Sequence, residues 1–357
     1  MMPVQETITA AATLPEAAWD ISEDAFPAEG TADDKLRFLV GCAILAPTRG
    51  NSQPWRFSLG NGVLELRTDV ARVLPVIDSR GREAVIGCGT ALHYLRLAAA
   101  RFGQVLKVET FPNLGDEHLL ARFCLYGSAE VPESEEVVSL FRAIWHRRAW
   151  TRSFLPRPLP AELLAGLHAA AAREGATLVF LEGDSDRSAA ADLTASAVRT
   201  LRENPDYIRE EAQAEIAGVC PPAHGFAAGL LADLRAALAA AEPESHAAAR
   251  VSRRAVEAPS LAVLVTPGDT PFDWMSAGQA LGAVLLHGDT AGVEASFLNQ
   301  LAEEPHVRRA LQAMIGEGVP QSVLCLGYGD GPPPPHALRR PVAEVLLAAP
   351  LPPHSAV

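Results

Sequence analysis

Residues 89–92 read Gly-Thr-Ala-Leu, and residues 278–281 read Gly-Gln-Ala-Leu, so one short pattern recurs at an offset of 189 residues. The offset continues beyond the pattern, because Gly103 aligns with Gly292. Both stretches have the apolar spacing of a helix, and a glycine is suited to the C-terminal cap of each. A helix and its cap that recur in order predict a duplicated unit.

Apolar segments follow the two helices in the same order, at residues 123–127 and 324–329. The two copies differ in the segments that are able to carry chemistry. A loop rich in Asn, Gln and Trp, residues 47–55, occurs only in the first copy, and an arginine-rich segment, residues 147–154, occurs only in the second. The pattern predicts two α+β halves that complete one site between them.

Periodicity and turn residues predict the other elements. Thr31 and Asp34 are typical of a helix N-terminus, and Asn61-Gly62 is typical of a hairpin turn. The predicted strands are residues 55–59, 63–66, 105–111, 119–126, 177–181, 260–265 and 322–326. The predicted helices begin near residue 32 and also cover residues 89–102, a segment through residue 146, and residues 161–172, 183–257 and 273–290.

The same patterns predict the domain organisation. Residues 1–30 lack a lasting period and are expected to form an N-terminal arm. Residues 31–130 form the first predicted half, and residues 137–357 form the second. Within the second half, residues 183–257 form a helical insertion that is a candidate lid.

Composition excludes several classes of function. The 357 residues are 48% hydrophobic, and 43 acidic against 30 basic residues give a formal charge of -13. That charge offers no general affinity for nucleic acid or anionic lipid, and no apolar run reaches membrane-spanning length. Five dispersed cysteines without Cys-x-x-Cys spacing argue against a disulfide framework or a zinc site. We therefore expect a soluble cytoplasmic protein without nucleic-acid or membrane partners.

The arginine segment places Arg148 and Arg152 four residues apart beside a predicted helix start, with Arg147 adjacent. Two guanidinium groups are then able to converge on one phosphate through bidentate hydrogen bonds that lysine cannot make. The alternative is a solvated helix face whose arginines pair with glutamates.

The loop of residues 46–55 combines hydroxyl, amide and aromatic groups between a helix end and a strand. A loop of this kind is able to hydrogen-bond a polar ring system. The alternative is an ordinary turn with Trp55 in the core. For Trp55 alone the ordinary turn is favoured, and for Asn51 with Gln53 the binding loop is favoured.

Both segments resemble the nitroreductase family of flavoproteins. Arg148, Arg152 and Phe154 match the family's FMN-phosphate segment. The residues that match the loop contributed by the other subunit of the family's homodimer are Pro47, Asn51, Gln53, Pro54 and Trp55, with Thr48 as a conservative change. The order of the segments, with residues 77–92, is similar to the Acg-type subfamily, in which two nitroreductase-like halves are fused.

The resemblance implies an α+β, nitroreductase-like fold, duplicated in tandem as an intramolecular pseudo-dimer with antiparallel-rich sheets flanked by helices. It also implies one FMN per chain in the groove between the halves. The implied FMN-binding residues are Pro47, Thr48, Arg49, Asn51, Gln53, Arg148, Trp150, Thr151, Arg152, Phe297, Leu298, Asn299, Arg339 and Arg340. No catalytic side chain is implied, because the flavin carries the chemistry.

Two residues depart from the family pattern. Trp150 stands where a small hydroxyl residue is usual, so Thr151 or a backbone N–H group would have to contact the phosphate. Arg49 replaces a serine, which would add a cation near the flavin or block its usual approach.

By resemblance, the protein is expected to transfer electrons from NAD(P)H to an electron-poor small molecule, a nitro compound or a quinone. The alternative is an FMN storage or sequestration protein, in which residues 183–257 lie over the groove and prevent turnover. The assembly is expected to be a monomeric pseudo-dimer or a homodimer of it.

Overall fold

Two sheets with helices between and around them form the fold, in a computed structural model that describes residues 18–128, 134–219 and 244–348. The strands are β1 (Trp55–Gly60), β2 (Val63–Thr68), β3 (Gln104–Thr110), β4 (Leu119–Ser128), β5 (Thr177–Leu181), β6 (Ser260–Thr266), β7 (Glu294–Phe297), β8 (Val319–Gly327) and β9 (Leu346–Ala348). The helices are α1 (Ala32–Ala43), α2 (Arg82–Arg101), α3 (Glu135–His146), α4 (Ala161–Arg173), α5 (Asp184–Arg202), α6 (Pro205–Val219), α7 (Glu244–Glu257), α8 (Pro271–Thr290), α9 (Gln300–Glu303), α10 (Pro305–Ile315) and α11 (Val342–Val345).

The two sheets share one strand order. The first runs β3-β4-β2-β1-β9, and the second runs β7-β8-β6-β5 when it is read from its own corresponding edge. Every pairing is antiparallel except that of β1 with β9, which is parallel. The predicted α+β class with antiparallel-rich sheets flanked by helices is therefore confirmed.

Several local predictions are confirmed in detail. Thr31 and Asp34 form a reciprocal capping box at the start of α1. Asn61 and Gly62 have φ values of 55° and 75°, the left-handed conformation of the predicted hairpin turn between β1 and β2. Gly103 and Gly292 also have positive φ, 63° and 71°, just past the ends of α2 and α8. The two copies of the repeat thus share the left-handed backbone conformation of the glycine after each helix.

The start of α2 was predicted at residue 89 and lies at Arg82 instead. Gly81 in the left-handed conformation precedes the helix, and the Asp78 carboxylate accepts a hydrogen bond from the Ala84 N–H at 2.9 Å. The charged residues of the first turn, Arg82 and Glu83, are buried and paired with each other. Because these residues read as a polar surface run, hydrophobic periodicity placed the helix start too late.

The arginine segment follows the helix that ends at His146, as predicted, but Arg148 and Arg152 do not stand beside a helix start. Its backbone pairs with later segments of the same half: Ala149 and Phe154 form isolated bridges with Ala295 and Gly329. Two strands, β7 and β9, were not predicted at all. They contain only four and three residues, and β9 pairs with β1, which is distant in sequence.

The predicted insertion, residues 183–257, contributes α5, α6 and α7, and α5 packs against α7. Its central part, residues 220–243, lies outside the described residues, as do residues 1–17 of the predicted arm. The described part of the arm includes a short 3-10 helix at Glu23–Ala25. The proposed domain boundaries stay a prediction.

At the centre, α2 packs directly on α8, and each helix has 20 residues. The offset of 189 places Arg82–Arg101 onto Pro271–Thr290 end to end. A Cβ atom at Gly278 would lie 2.1 Å from the Ile86 carbonyl oxygen, and one at Gly89 would lie 2.6 Å from that of Met275. Ile86 and Met275 are also equivalent under the offset. The contact is therefore reciprocal, as a two-fold relation between the halves requires.

Each central helix also packs on the sheet of its own half, α2 on β1, β2 and β3 and α8 on β6, β7 and β8. The principal cluster of buried apolar side chains includes Leu92 and Phe123 of the first half and Leu281 and Leu324 of the second. The two halves thus share one core. Among the described helices, none combines the length and apolar character needed to cross a bilayer.

The helix contact predicts the effect of a single methyl group. Gly278→Ala should lower the free energy of unfolding by roughly 3 kcal/mol, because the new Cβ meets backbone atoms that cannot rotate away. The matched control is Gly166→Ala in α4, where a Cβ has nothing within 4 Å and should raise stability by ~0.5–1 kcal/mol. Urea unfolding measures both, and equal stabilities of the two variants would contradict the close approach of α2 and α8.

Candidate functional site

A cavity of about 870 Å³ is lined by residues of both halves. The first half contributes residues 47–51 and one face of α2, and the second contributes residues 147–151, residues 297–300 and residues 334–339. Trp19 of the N-terminal segment completes the wall. A volume in the range of ~300–1,000 Å³ is typical of sites for small molecules and cofactors.

Nine of the fourteen residues implicated by the sequence line this cavity. They are Pro47, Thr48, Arg49, Asn51, Arg148, Thr151, Phe297, Asn299 and Arg339. The other five, which are not among the lining residues, are Gln53, Trp150, Arg152, Leu298 and Arg340. The structure thus brings together the loop, the arginine segment and the C-terminal segment, but not every side chain in them.

Gln53 holds the C-terminal segment in place. Its side chain is 1% exposed, its Oε1 accepts a hydrogen bond from the Arg340 N–H at 2.8 Å, and its Nε2 donates to the Leu338 carbonyl at 3.4 Å. Arg340 turns away from the cavity and pairs with Asp69 at 3.3 Å. Asn51 works beside Gln53: its Nδ2 donates to the Leu338 carbonyl at 2.9 Å, and its Oδ1 accepts from Arg339 at 2.8 Å.

Trp150 and Leu298 belong to the packing behind the wall. Trp150 is 3% exposed, and a Cβ at Gly329 would lie 2.6 Å from its ring. Its Nε1 donates to the Ser153 carbonyl at 2.9 Å. Leu298 is fully buried in the apolar cluster of the second half.

Arg148 and Arg152 do not converge. Arg148 lines the cavity, whereas Arg152 lines a separate pocket against α7. The segment between them is not helical, and four residues of extended chain span roughly 13 Å. The convergence expected from a helical four-residue spacing is therefore absent, and the role of Arg152 at a flavin stays a prediction.

One end of the cavity is cationic. Arg147, Arg148, His336 and Arg339 line it, and among the described residues no carboxylate forms an ion pair with any of these arginines. Guanidinium nitrogens of all three arginines are buried without a hydrogen-bond partner in the described part of the chain. A site of this composition is suited to a phosphate, which would accept from the orphaned donors.

The pKa values at this end reflect an excess of positive charge, which Asp289 and Glu294 offset only in part. Burial, together with Arg147, lowers the pKa of Arg339 to about 9. Burial and then Arg148, Arg339 and Arg147 lower the pKa of His336 to about 4, so its ring is neutral at pH 7. Arg148 Nη2 donates to His336 Nε2, which agrees with the neutral ring. A bound anion would reverse these shifts.

Another part of the cavity wall contains a buried ion pair around Arg49. Arg49 Nε donates to Glu303 Oε1 at 2.6 Å, and the Tyr207 hydroxyl donates to Glu303 Oε2 at 2.9 Å. Arg49 Nη2 also lies 3.4 Å from Glu211 Oε1. Burial alone would raise the pKa of Glu303, but Arg49 and the Tyr207 hydrogen bond bring it below its usual value. Arg49, which replaces the family's serine, is thus neutralised by carboxylates. Its contacts join the loop of residues 47–55 to α9 and to α6 of the insertion.

Sequence reasoning missed several lining residues. Glu83 forms an ion pair with Arg82, and burial raises the pKa of its carboxyl to about 7. Trp19 and His336 lie in stretches without periodicity, where no local signal marks them. Their rings are 4.1 Å apart, and Trp19 Nε1 donates to the Ala337 carbonyl at 3.0 Å. Because Trp19 and His336 are far apart in sequence, only the folded structure reveals this contact.

Most of the chain is similar in sequence to several known proteins. No protein-family model matches it. A Mycobacterium tuberculosis H37Rv protein named "Putative NAD(P)H nitroreductase" is 28% identical over 332 residues, which cover 88% of this chain and 91% of the relative. A second protein of that name, acg, is 27% identical over 328 residues, 87% of this chain and 95% of its own. The resemblance to Acg-type nitroreductase-like proteins is confirmed.

Solved structures similar to this chain match a smaller part of it. An FMN- and NADPH-dependent nitroreductase from Sphigopyxis sp. strain HMH is 20% identical, with a TM-score of 0.41, over 59% of this chain and 99% of its own. An FMN-dependent nitroreductase from Mycobacterium smegmatis, solved in complex with NADPH, is 19% identical, with a TM-score of 0.36, over 55% and 90%.

The buried pair around Arg49 predicts a large loss of stability from a nearly isosteric change. Glu303→Gln should lower the free energy of unfolding by about 3 kcal/mol, because it leaves the buried Arg49 charge with only the more distant and more exposed Glu211 as a counter-ion. Glu136→Gln is the control, since Glu136 is 60% exposed, its partner Arg173 is 64% exposed, and its other neighbour is the His287 ring at 3.4 Å. This substitution should change stability by about 0.5 kcal/mol or less. Denaturant unfolding compares the two variants. If Glu303→Gln loses no more stability than the control, the Arg49–Glu303 pair does not stabilise the fold.

Proposed function

We propose that this protein is an FMN-binding oxidoreductase that takes electrons from NAD(P)H and passes them to an electron-poor small molecule of the nitro or quinone class. The observation that carries the proposal is the cavity between the halves, with its cluster of cations at one end. The names of two relatives support it, since both are called "Putative NAD(P)H nitroreductase".

The cationic end fits the phosphate of FMN. Arg147, Arg148 and Arg339 have buried guanidinium nitrogens without partners, and a phosphate would supply several acceptor oxygens. The Thr151 hydroxyl lines the same cavity, which suits it to the contact expected of it in place of Trp150. Arg340 and Gln53, both implicated by the resemblance, would act indirectly by holding the segment that carries Arg339.

The remaining wall fits a planar ring with polar edges. Thr48, Asn51 and Asn299 offer hydroxyl and amide groups, whereas Ile86, Leu281 and Phe297 offer apolar surface. A wall of this kind binds by shape and excludes water, and a few polar groups set the orientation. When bound, FMN would supply the hydride and electron transfer.

The protein's own part is binding, orientation and electrostatics. Cations and N–H donors near a ring that gains negative charge on reduction stabilise its reduced form. We therefore assign no catalytic acid. One FMN per chain, a cytoplasmic location, a pseudo-dimer or its homodimer, and halves at residues 31–130 and 137–357 form part of the proposal.

The function is tested by absorbance spectroscopy of the purified protein, repeated without oxygen in the presence of NADPH or NADH. We expect a flavin spectrum, one FMN released per chain, bleaching by the nicotinamide and recovery with a nitroaromatic or a quinone. A flavin that neither nicotinamide bleaches would favour the storage alternative. Protein that binds no added FMN would refute both.

The cationic end makes a separate prediction about affinity. Arg148→Ala should weaken FMN binding by roughly 2–3 kcal/mol, because a phosphate would lose a charged hydrogen-bond donor. Arg309→Ala is the control, since Arg309 is exposed on α10 and lines neither pocket. Equilibrium titration with FMN compares the variants, and thermal unfolding checks that both remain folded. Equal affinities would show that the phosphate lies elsewhere.

A further inference from the structure

A second pocket, of about 510 Å³, lies between the arginine segment and α7. Thr151 and Arg254 line both this pocket and the cavity, so the two spaces adjoin. The proposed FMN site shares Thr151 with the second pocket but does not use Arg250, Arg253 or Arg254. A ligand with one group in the cavity therefore has room to place another group here.

Four arginines line the second pocket: Arg152 from the arginine segment and Arg250, Arg253 and Arg254 from α7. The acidic residue among the described lining residues is Glu257. Its distance to Arg253 is 3.9 Å, and both side chains are about two-thirds exposed (67% and 68%), so this pair contributes little.

The local excess of positive charge contrasts with the rest of the chain, whose formal charge is -13. Within the described residues, no carboxylate forms an ion pair with Arg152 or Arg254. The hydroxyl residues Thr151 and Ser153 stand beside them as further donors. Clustered guanidinium groups repel one another, and a dianion relieves that repulsion while accepting several hydrogen bonds. The composition of the pocket therefore fits a phosphate monoester.

We propose that this second pocket binds the 2′-phosphate of NADPH and makes the protein selective for NADPH over NADH. The inference rests on the proposed function, because that function takes a nicotinamide dinucleotide as the electron donor. NADPH carries a nicotinamide ring, which would enter the cavity, and a 2′-phosphate, which would enter the second pocket. Arginine is the side chain that receives a 2′-phosphate in other dinucleotide sites, whereas a carboxylate receives the free 2′-hydroxyl of NADH.

The proposal gives the helical insertion a positive role. Three of the four arginines belong to α7, and α7 packs on α5, so the insertion builds one wall of the pocket. The Arg187 guanidinium fixes the chain just after α7 by donating to the carbonyls of Ala258 and Pro259 at 2.6 and 2.7 Å. The arginines thus project from a supported helix.

The test uses two probes that differ by the 2′-phosphate, adenosine 2′,5′-bisphosphate and 5′-AMP, bound to the full chain and measured by calorimetry. We expect the bisphosphate to bind about tenfold more tightly than 5′-AMP, or better. Arg253→Gln should reduce bisphosphate affinity by about tenfold and leave 5′-AMP unchanged, while Arg309→Gln should change neither. In steady-state assays, Arg253→Gln should raise the KM for NADPH and not that for NADH.

Equal affinity for the two probes, or an equal loss in the Arg309→Gln control, would overturn the proposal. Loss of FMN with unchanged bisphosphate binding in Arg253→Gln would also overturn it, by assigning the pocket to the flavin phosphate. The readouts separate the two proposals. Protein that discriminates the probes but binds no FMN would refute the proposed function and leave the 2′-phosphate site standing.

Discussion

The approach of Gly89 to Gly278 sets the separation of the two halves, and the cavity depends on that separation. Thr90 Oγ1 reinforces the contact by donating to the Gly278 carbonyl at 3.0 Å across the helix pair. Lining residues come from both sides, Ile86 from α2 and Leu281 from α8. A side chain in place of Gly89 or Gly278 would push the two helices apart, and the cavity would widen as a result.

The cationic end of the cavity depends in turn on contacts between the C-terminal segment and the first half. Arg339 belongs to the second half, yet the Asn51 amide and the Leu45 carbonyl of the first half hold its guanidinium at 2.8 and 3.1 Å. Gln53 fixes the next residue in the same way. The loop that resembles a flavin-binding motif therefore orients an arginine from the other half. Geometry of this kind makes the two halves parts of a single site.

Local signals in the sequence predicted the elements whose causes are local. The Thr31 capping box, the Asn61-Gly62 turn and the 189-residue repeat each depend on residues near one another or on repetition, and all three are confirmed. The start of α2 was misplaced because a buried ion pair reads like a surface run. The separation of Arg148 from Arg152 depends on bridges to residues 295 and 329, which periodicity cannot reveal. His336 and Trp19 meet for the same long-range reason.

The parallel pairing of β1 with β9 has a consequence for the order of folding. Residues 57–59 pair with residues 346–348, so the sheet of the first half gains strand β9 only after the roughly 290 residues between them have been made. During synthesis on the ribosome, β1 therefore presents an unpaired edge, the kind of surface that recruits strands from other chains. Closing a loop of that length is slow, because the entropy of the intervening chain must be lost first. A strand made after the whole second sheet thus completes the first sheet.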